Sequence, residues 1–393
     1  MLIKFKQNVS EKYCFAFLFI ALISIVTIDN DKLVINIYRL LICLPILTLS
    51  RWSDVVCFAK QPFVKRYLLL TIFCLFSLLW SEPGHIKNMF FKILTMTVFL
   101  YLIYLVFIYQ PSYFRKLDSI YIFLSMTLLS LFILHNLGKD ITTEDVYGVF
   151  GNKNEIAWFF SISCLIIGHK LIFEKFDIYL LAVFLISLST VWVLASRASI
   201  LAVLFGLFFS LIMVPNRSIV KRLGLLGLGC LLIALYISNN NMASSLIERG
   251  DSFRFEIYNN AFNKIAESAM TILLGHGIAT DSESLGGYNI TFGHWHSIYV
   301  SMLYYCGLTG LMLMLYCFFY RFWLLYRKKT IICVWDVVVF AMAIALLFDG
   351  NRIYSYPGGV FMSFVLPVFF ANISSDIPVT IEAESKRQTI EPQ

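Results

Sequence analysis

Charge is what this chain has least of. Asp, Glu, Lys and Arg together make up 14% of its 393 residues, against roughly 25% in an average soluble domain. Hydrophobic residues make up 59%, and Phe alone occurs 37 times. A water-soluble fold of this length could not hide so much apolar surface, and a disordered chain has the opposite composition, so both classes are excluded. CxxC spacing is also absent. Cys14, Cys43, Cys57, Cys74, Cys164, Cys230, Cys306, Cys317 and Cys333 fall in apolar runs or short loops and read as small packing residues, not disulfides or metal ligands. No small-x-small cleavage site follows Lys4, Lys6 and Lys12. The apolar run after them is expected to be an uncleaved first span, not a signal peptide. Internal repeats and a separate soluble domain are missing too. The net charge of +7 is no argument for nucleic-acid binding, because in a membrane protein the distribution of Lys and Arg says more than their sum.

What the sequence has in quantity is long apolar runs. They lie at 13–28, 33–50, 67–80, 91–109, 119–135, 155–173, 178–195, 199–214, 222–238, 297–320, 331–348 and 357–372. A membrane-spanning helix takes about 20 residues. The expectation is an all-α polytopic membrane protein of about 12 spans, with residues 1–393 forming one integral membrane domain. An even count puts both termini on one side. Of the 31 Lys and Arg, 20 fall on that side, 10 on the other, and Arg39 inside a span. The bias sets both ends in the cytoplasm, with 373–393 as a cytoplasmic tail. Such a chain suits a bacterial inner membrane, with its low-charge face toward the periplasm.

The longest connection, 239–296, falls on that low-charge side. Phe253, Ile257, Ala261 and Ile265 recur in it at helical spacing, which predicts an amphipathic helix on the membrane surface or over a cavity. Gly275, Gly277, Gly286 and Gly287 then mark turns.

Four polar features share that side. Ser196-Arg197-Ala198-Ser199 forms a tight turn between two apolar runs. Arg197 there is open to two readings, an arginine snorkelling to the interface or a charged fork for phosphate oxygens. Arg254, with Tyr258 one turn later, is either a solvated helix face or a second cation of that kind, with Arg249 a weaker competitor. His294-Trp295-His296-Ser297 precedes the tenth run. It is an interfacial aromatic belt or a proton-exchanging site, and zinc is weakly supported without a third ligand. Asp349-Gly350-Asn351-Arg352 reads first as a short polar loop, and second as a source of an acid or a cation for the same cavity. Asp281-x-Glu283 is a weak metal signal, and a metal-free site is favoured because two arginines neutralise a diphosphate.

The order of these motifs resembles the O-antigen ligase family and, more loosely, the O-antigen polymerases. Four segments carry the resemblance, over roughly 148–315. Gly148-Val-Phe-Gly-Asn152-Lys-Asn154, followed by Ala157, resembles the family's Gly/Asn-rich approach to a span. Ser196-Arg197-Ala198-Ser199 resembles its Ser-Arg-small turn. Arg254-x-x-x-Tyr258 with Leu274-Gly275-x-Gly277 resembles its Arg-x-x-x-aromatic segment and glycine pair. His294-x-His296-Ser297 with Gly307-Leu308-x-Gly310 resembles its His-x-His-Asn stretch and glycine-bearing helix, except that Ser297 stands where Asn is usual.

The resemblance implies a GT-C-type membrane glycosyltransferase, free of metal and cofactor. Its donor would be an undecaprenyl-diphosphate-linked glycan and its acceptor a sugar hydroxyl of lipid A-core, both reached from the membrane lipids on the periplasmic side. Carried onto this chain, Arg197 and Arg254 would hold the diphosphate and His296 would act on the acceptor hydroxyl. His294, Ser297, Tyr258 and Arg352 would contact substrate. Single displacement implies inversion at the anomeric carbon. Two other readings stand beside this one. An O-antigen polymerase would use a second polyprenyl-linked repeat as acceptor. A lipid-glycan flippase would be no enzyme, and would show repeat symmetry or deep intramembrane charges.

Overall fold

The computed structural model describes residues 2–28, 31–114, 116–135, 153–173, 177–194, 196–213, 254–281, 295–328, 332–350, 352–354 and 359–375. Among these the regular structure is entirely helical. Eleven of the twelve expected apolar runs lie on helices, and the run at 222–238 lies outside the described residues. Also outside are Gly148–Asn152, Arg249, Glu283, Gly286, Gly287, His294, Asn351 and the tail beyond 375.

Length separates these helices into two classes. Five are long and apolar enough to cross a bilayer: Pro62–Trp80, Pro83–Tyr109, Leu117–His135, Lys153–Phe173 and Ile298–Arg327. A sixth is added if Leu33–Thr48 and Trp52–Lys60, bent by 102°, count as one span. Tyr13–Thr27, Ile178–Val193, Arg197–Ile212, Val334–Phe348 and Phe361–Ile373 are apolar but shorter. Apolar runs alone therefore overstate how many helices are full-length by themselves.

Connections expected as plain loops are themselves partly helical. Trp52–Lys60 fills most of the 51–66 stretch, and Ile298–Lys328 runs through most of 321–330. Arg321 is thus no loop residue. Its Nε and Nη2 donate to both oxygens of Asp336 at 2.5 and 2.7 Å, a buried bidentate pair at the far end of the bundle from the site described below.

One break matters for function. The Ile298–Lys328 helix loses helical geometry at Gly307 (φ 63°, ψ −170°). There the loop carrying Gly275 and Gly277 crosses it. The N–H groups of His276 and Gly277 donate to the carbonyls of Tyr304 and Tyr305 at 3.0 and 2.8 Å, so the carbonyls freed by the break find donors. A Cβ on Gly307 would lie 2.4 Å from the Leu273 carbonyl carbon, and one on Gly275 2.5 Å from the Cys306 nitrogen. The two glycine motifs are halves of one backbone crossing. Gly307→Ala meets both that clash and a positive φ, so about 2 kcal/mol or more of destabilisation is expected. A drop in the unfolding temperature of the detergent-purified protein checks it.

Candidate functional site

Three helix ends meet at one end of the bundle. The Lys153–Phe173 and Arg197–Met213 helices run parallel: Ser161 Oγ approaches the Ser199 carbonyl at 3.5 Å, and a Cβ on Gly206 would press on Leu165. Gly206 also faces Ala341 of the Val334–Phe348 helix. That helix runs the other way, because Asp349 just past its end meets Asn154 at the start of the first. At 1.5 Å per residue, Arg197 lies roughly 13 Å above Gly206 and Asp349 roughly 12 Å above Ala341. Arg197 and Asp349 therefore stand at the same level.

Asp349 is the centre of the arrangement. Its side chain is 2% exposed, and a carboxylate so buried needs polar partners. Asn154 Nδ2 donates to Oδ2 at 2.6 Å, and the Gly350 N–H donates to Oδ1 at 2.8 Å. His296 Nδ1 lies 3.6 Å from Oδ1. The carboxylate faces one ring nitrogen, and the imidazole keeps 26% of its surface exposed.

The backbone holds His296 in an unusual shape. Its φ is 49°, the left-handed region that non-glycine residues rarely enter. The ring lies between buried Trp295 and buried Ser297 in sequence, and the Tyr258 hydroxyl bonds the His296 carbonyl at 3.1 Å. The same hydroxyl reaches the Leu347 carbonyl at 3.2 Å, tying the loop helix to the end of Val334–Phe348. Burial pushes the Tyr258 phenol above its ordinary range; nearby Arg254 opposes this and Asp349 adds to it. Tyr258 is thus a protonated donor at neutral pH.

Arg254 opens the Arg254–Ile265 helix, whose Ile257, Ala261 and Ile265 are buried. Its guanidinium is half-buried and acts on Tyr258. It has no hydrogen bond or ion pair among the described residues. Arg197, also half-buried, opens its own helix. Each arginine stands at a helix N-terminus, where the exposed backbone N–H groups add to its attraction for an anion.

The other residues expected to contact substrate make specific contacts of their own. Ser297 is 2% exposed, with Oγ 3.5 Å from the Val300 N–H, the N-cap position of the helix that follows. It supports the helix start from inside the fold. Tyr258 spends its hydroxyl on backbone carbonyls and so positions His296. Arg352 Nη2 donates to the Thr280 carbonyl, and its guanidinium lies 4.4 Å over the Tyr305 ring. His294 lies outside the described residues.

Asp349 and Asn154 are the residues that sequence reasoning undervalued. A polar residue after an apolar run looks the same whether it ends in water or under a helix. Its one signal was that Asn154 and Asp349 both sit at run ends on the same side as His296. Glu155 beside Asn154 accepts the Gly359 N–H at 3.2 Å and fixes the start of the last helix against the same end. Asp281, considered as a metal ligand, instead meets His85 Nε2 at 2.8 Å. Among the described residues no three His, Cys, Asp or Glu gather as a metal-ligand set.

The arrangement can do two things. An imidazole backed by a carboxylate can accept a proton from a hydroxyl. An arginine at a helix N-terminus can attract a phosphorylated group. The chain matches no protein-family model and no curated protein.

Proposed function

We propose that this chain is an O-antigen ligase, a membrane glycosyltransferase of about 12 spans and GT-C-like architecture in the bacterial inner membrane. In this reading both termini are cytoplasmic and the site opens to the periplasm. The observation that carries it is the His296–Asp349 pair, with Asn154 and the Arg254–Tyr258 helix joined to it. His296, Asn154 and the Arg254–Tyr258 helix come from three of the sequence segments that resemble the family, and Asp349 lies beyond them.

The reaction follows from the groups. The donor is undecaprenyl-diphosphate-linked glycan. Arg197 and Arg254 bind its diphosphate and stabilise the charge that grows on the bridging oxygen as the bond to the anomeric carbon breaks. The acceptor hydroxyl of lipid A-core forms the new bond to that carbon from the opposite face and gives its proton to His296. Asp349 holds the ring and stabilises the imidazolium. The products are glycan on lipid A-core, with the anomeric centre inverted, and undecaprenyl diphosphate. Arginine supplies the positive charge at the leaving group, and the proposed reaction needs no metal or cofactor.

Deletion of the gene in its own cell, followed by electrophoresis of lipopolysaccharide, tests the reading. Bare lipid A-core with polymer retained on the polyprenyl carrier is the expected outcome. Core bearing a single repeat unit would make the protein a polymerase. Purified protein that moves no glycan between defined lipids would overturn both.

A further inference from the structure

We propose that residues 269–279 dip into the bilayer on the side of the candidate site, with the short helix Ala269–Leu274 turning its apolar side chains to lipid. The partner is the lipid surface itself, whatever reaction the protein performs.

Two spans set the depth. The Ile298–Arg327 helix has 30 residues, and a bilayer needs about 20. About 20 residues counted back from Arg327 end at Leu308, so the break at Gly307 falls at the edge of the hydrocarbon. The Pro62–Trp80 helix gives a second measure. Cys74, six residues before its end, has its Sγ 3.9 Å from that of Cys306. The crossing at Gly307 thus lies roughly 9 Å inside the end of that span. Interfacial segments bury themselves by about 5–10 Å.

The chain enters and leaves this level through polar residues. Glu267 before the dip and Asp281 after it are both exposed, and Asp281 meets His85 at 2.8 Å. Between them, residues 268–280 include no Asp, Glu, Lys or Arg. Backbone groups at such a depth need partners within the protein. The Ser268 hydroxyl accepts the Thr271 N–H and the Thr271 hydroxyl accepts the Ser268 N–H, both at 3.0 Å. The Gly275 N–H returns to the Thr271 carbonyl at 3.0 Å, and the next two N–H groups take the Tyr304 and Tyr305 carbonyls. The Ile278 and Ala279 N–H groups donate to the Ser77 and Ser81 hydroxyls at 3.2 and 3.1 Å.

What the dip leaves uncovered is apolar. Met270 is 64% exposed, and Ile272 and Leu273 are exposed beside it. The Leu273 backbone lies against Gly307, and just past that break Leu308 and Met312 are exposed as well. These two belong to the membrane-crossing length of their helix, where lipid covers an exposed side chain. The loop patch continues that surface, and a contiguous apolar patch needs a partner. The Thr271 hydroxyl also donates to the Ile265 carbonyl at 2.8 Å, which couples the dip to the helix that carries Tyr258.

The test uses full-length protein in phosphatidylcholine nanodiscs, with Cys57→Ser and Cys230→Ser and one added cysteine that carries a nitroxide label. Each spectrum is taken against that of the same protein without the added cysteine. Power saturation compares collisions with oxygen, which concentrates in lipid, and with a nickel chelate, which stays in water. Met270→Cys and Leu273→Cys should each show an oxygen-to-nickel ratio several-fold above that of Glu267→Cys. Leu273 lies at the crossing, so Met270→Cys carries the test if the other variant fails to fold. A label at Met270 that meets nickel as freely as one at Glu267 puts the helix in water and overturns the insertion. A label at Met270 shielded from both reagents puts protein over the patch and overturns it as well.

Discussion

Replacing His296 with Ala is expected to lower glycan transfer by ~10²–10⁴-fold, the usual contribution of a positioned proton acceptor, with the protein still made and inserted. The loss should appear in kcat, because in the proposed mechanism the imidazole acts on the acceptor proton and does not hold the donor. Asp349→Asn should fall between wild type and His296→Ala. It preserves the shape of the side chain but removes the charge that faces Nδ1 at 3.6 Å. It also places an amide against the Asn154 Nδ2 donor and the Gly350 N–H, both of which now find carboxylate oxygens at 2.6 and 2.8 Å. Asp349→Glu keeps the charge and should retain more activity than Asn. Transfer measured with purified protein and defined lipids decides the matter. Wild-type rates in a stably inserted His296→Ala protein would remove the catalytic assignment, and a normal rate in Asp349→Asn would leave His296 acting alone.

The Asp349 case also marks where sequence reasoning stops. Apolar runs announce helices because a bilayer accepts little else. Eleven runs could be placed on helices from hydropathy alone, and Ile257, Ala261 and Ile265 announced the buried face of the loop helix by their spacing. Nothing in the spacing announces that Asp349 receives a hydrogen bond from Asn154, 195 positions earlier. Burial of a run-end residue depends on which other helix ends share its level, and that is a property of packing. Gly307 is a similar case. Glycine in an apolar helix is ordinary, and its break becomes visible only when the His276–Gly277 backbone is seen lying across Tyr304 and Tyr305.

Removing either donor-side arginine should cost about 10²–10³-fold in transfer, the scale set by deleting one preorganised donor from a charge-stabilising site. The mechanism distinguishes Arg from Lys at both positions. A guanidinium offers a planar fork to two phosphate oxygens, whereas an ammonium offers a point charge. Arg254→Lys and Arg197→Lys should therefore recover only part of the loss. Arg254 begins the helix that carries Tyr258, so Arg254→Ala could act by loosening the Tyr258–His296 contact instead. Tyr258→Phe separates these causes, since it removes the hydroxyl that bonds the His296 carbonyl and leaves the charge intact. Tyr258→Phe should lower kcat, while Arg254→Ala should also weaken binding of undecaprenyl diphosphate. The double variant Arg197→Ala/Arg254→Ala is the sharper measurement. Two groups acting on one diphosphate are coupled, so the double loss should be smaller than the product of the single losses. In the proposed donor pocket the diphosphate is the shared ligand that couples their effects. Fully multiplicative losses would place the two guanidinium groups at separate sites and break the proposed donor pocket.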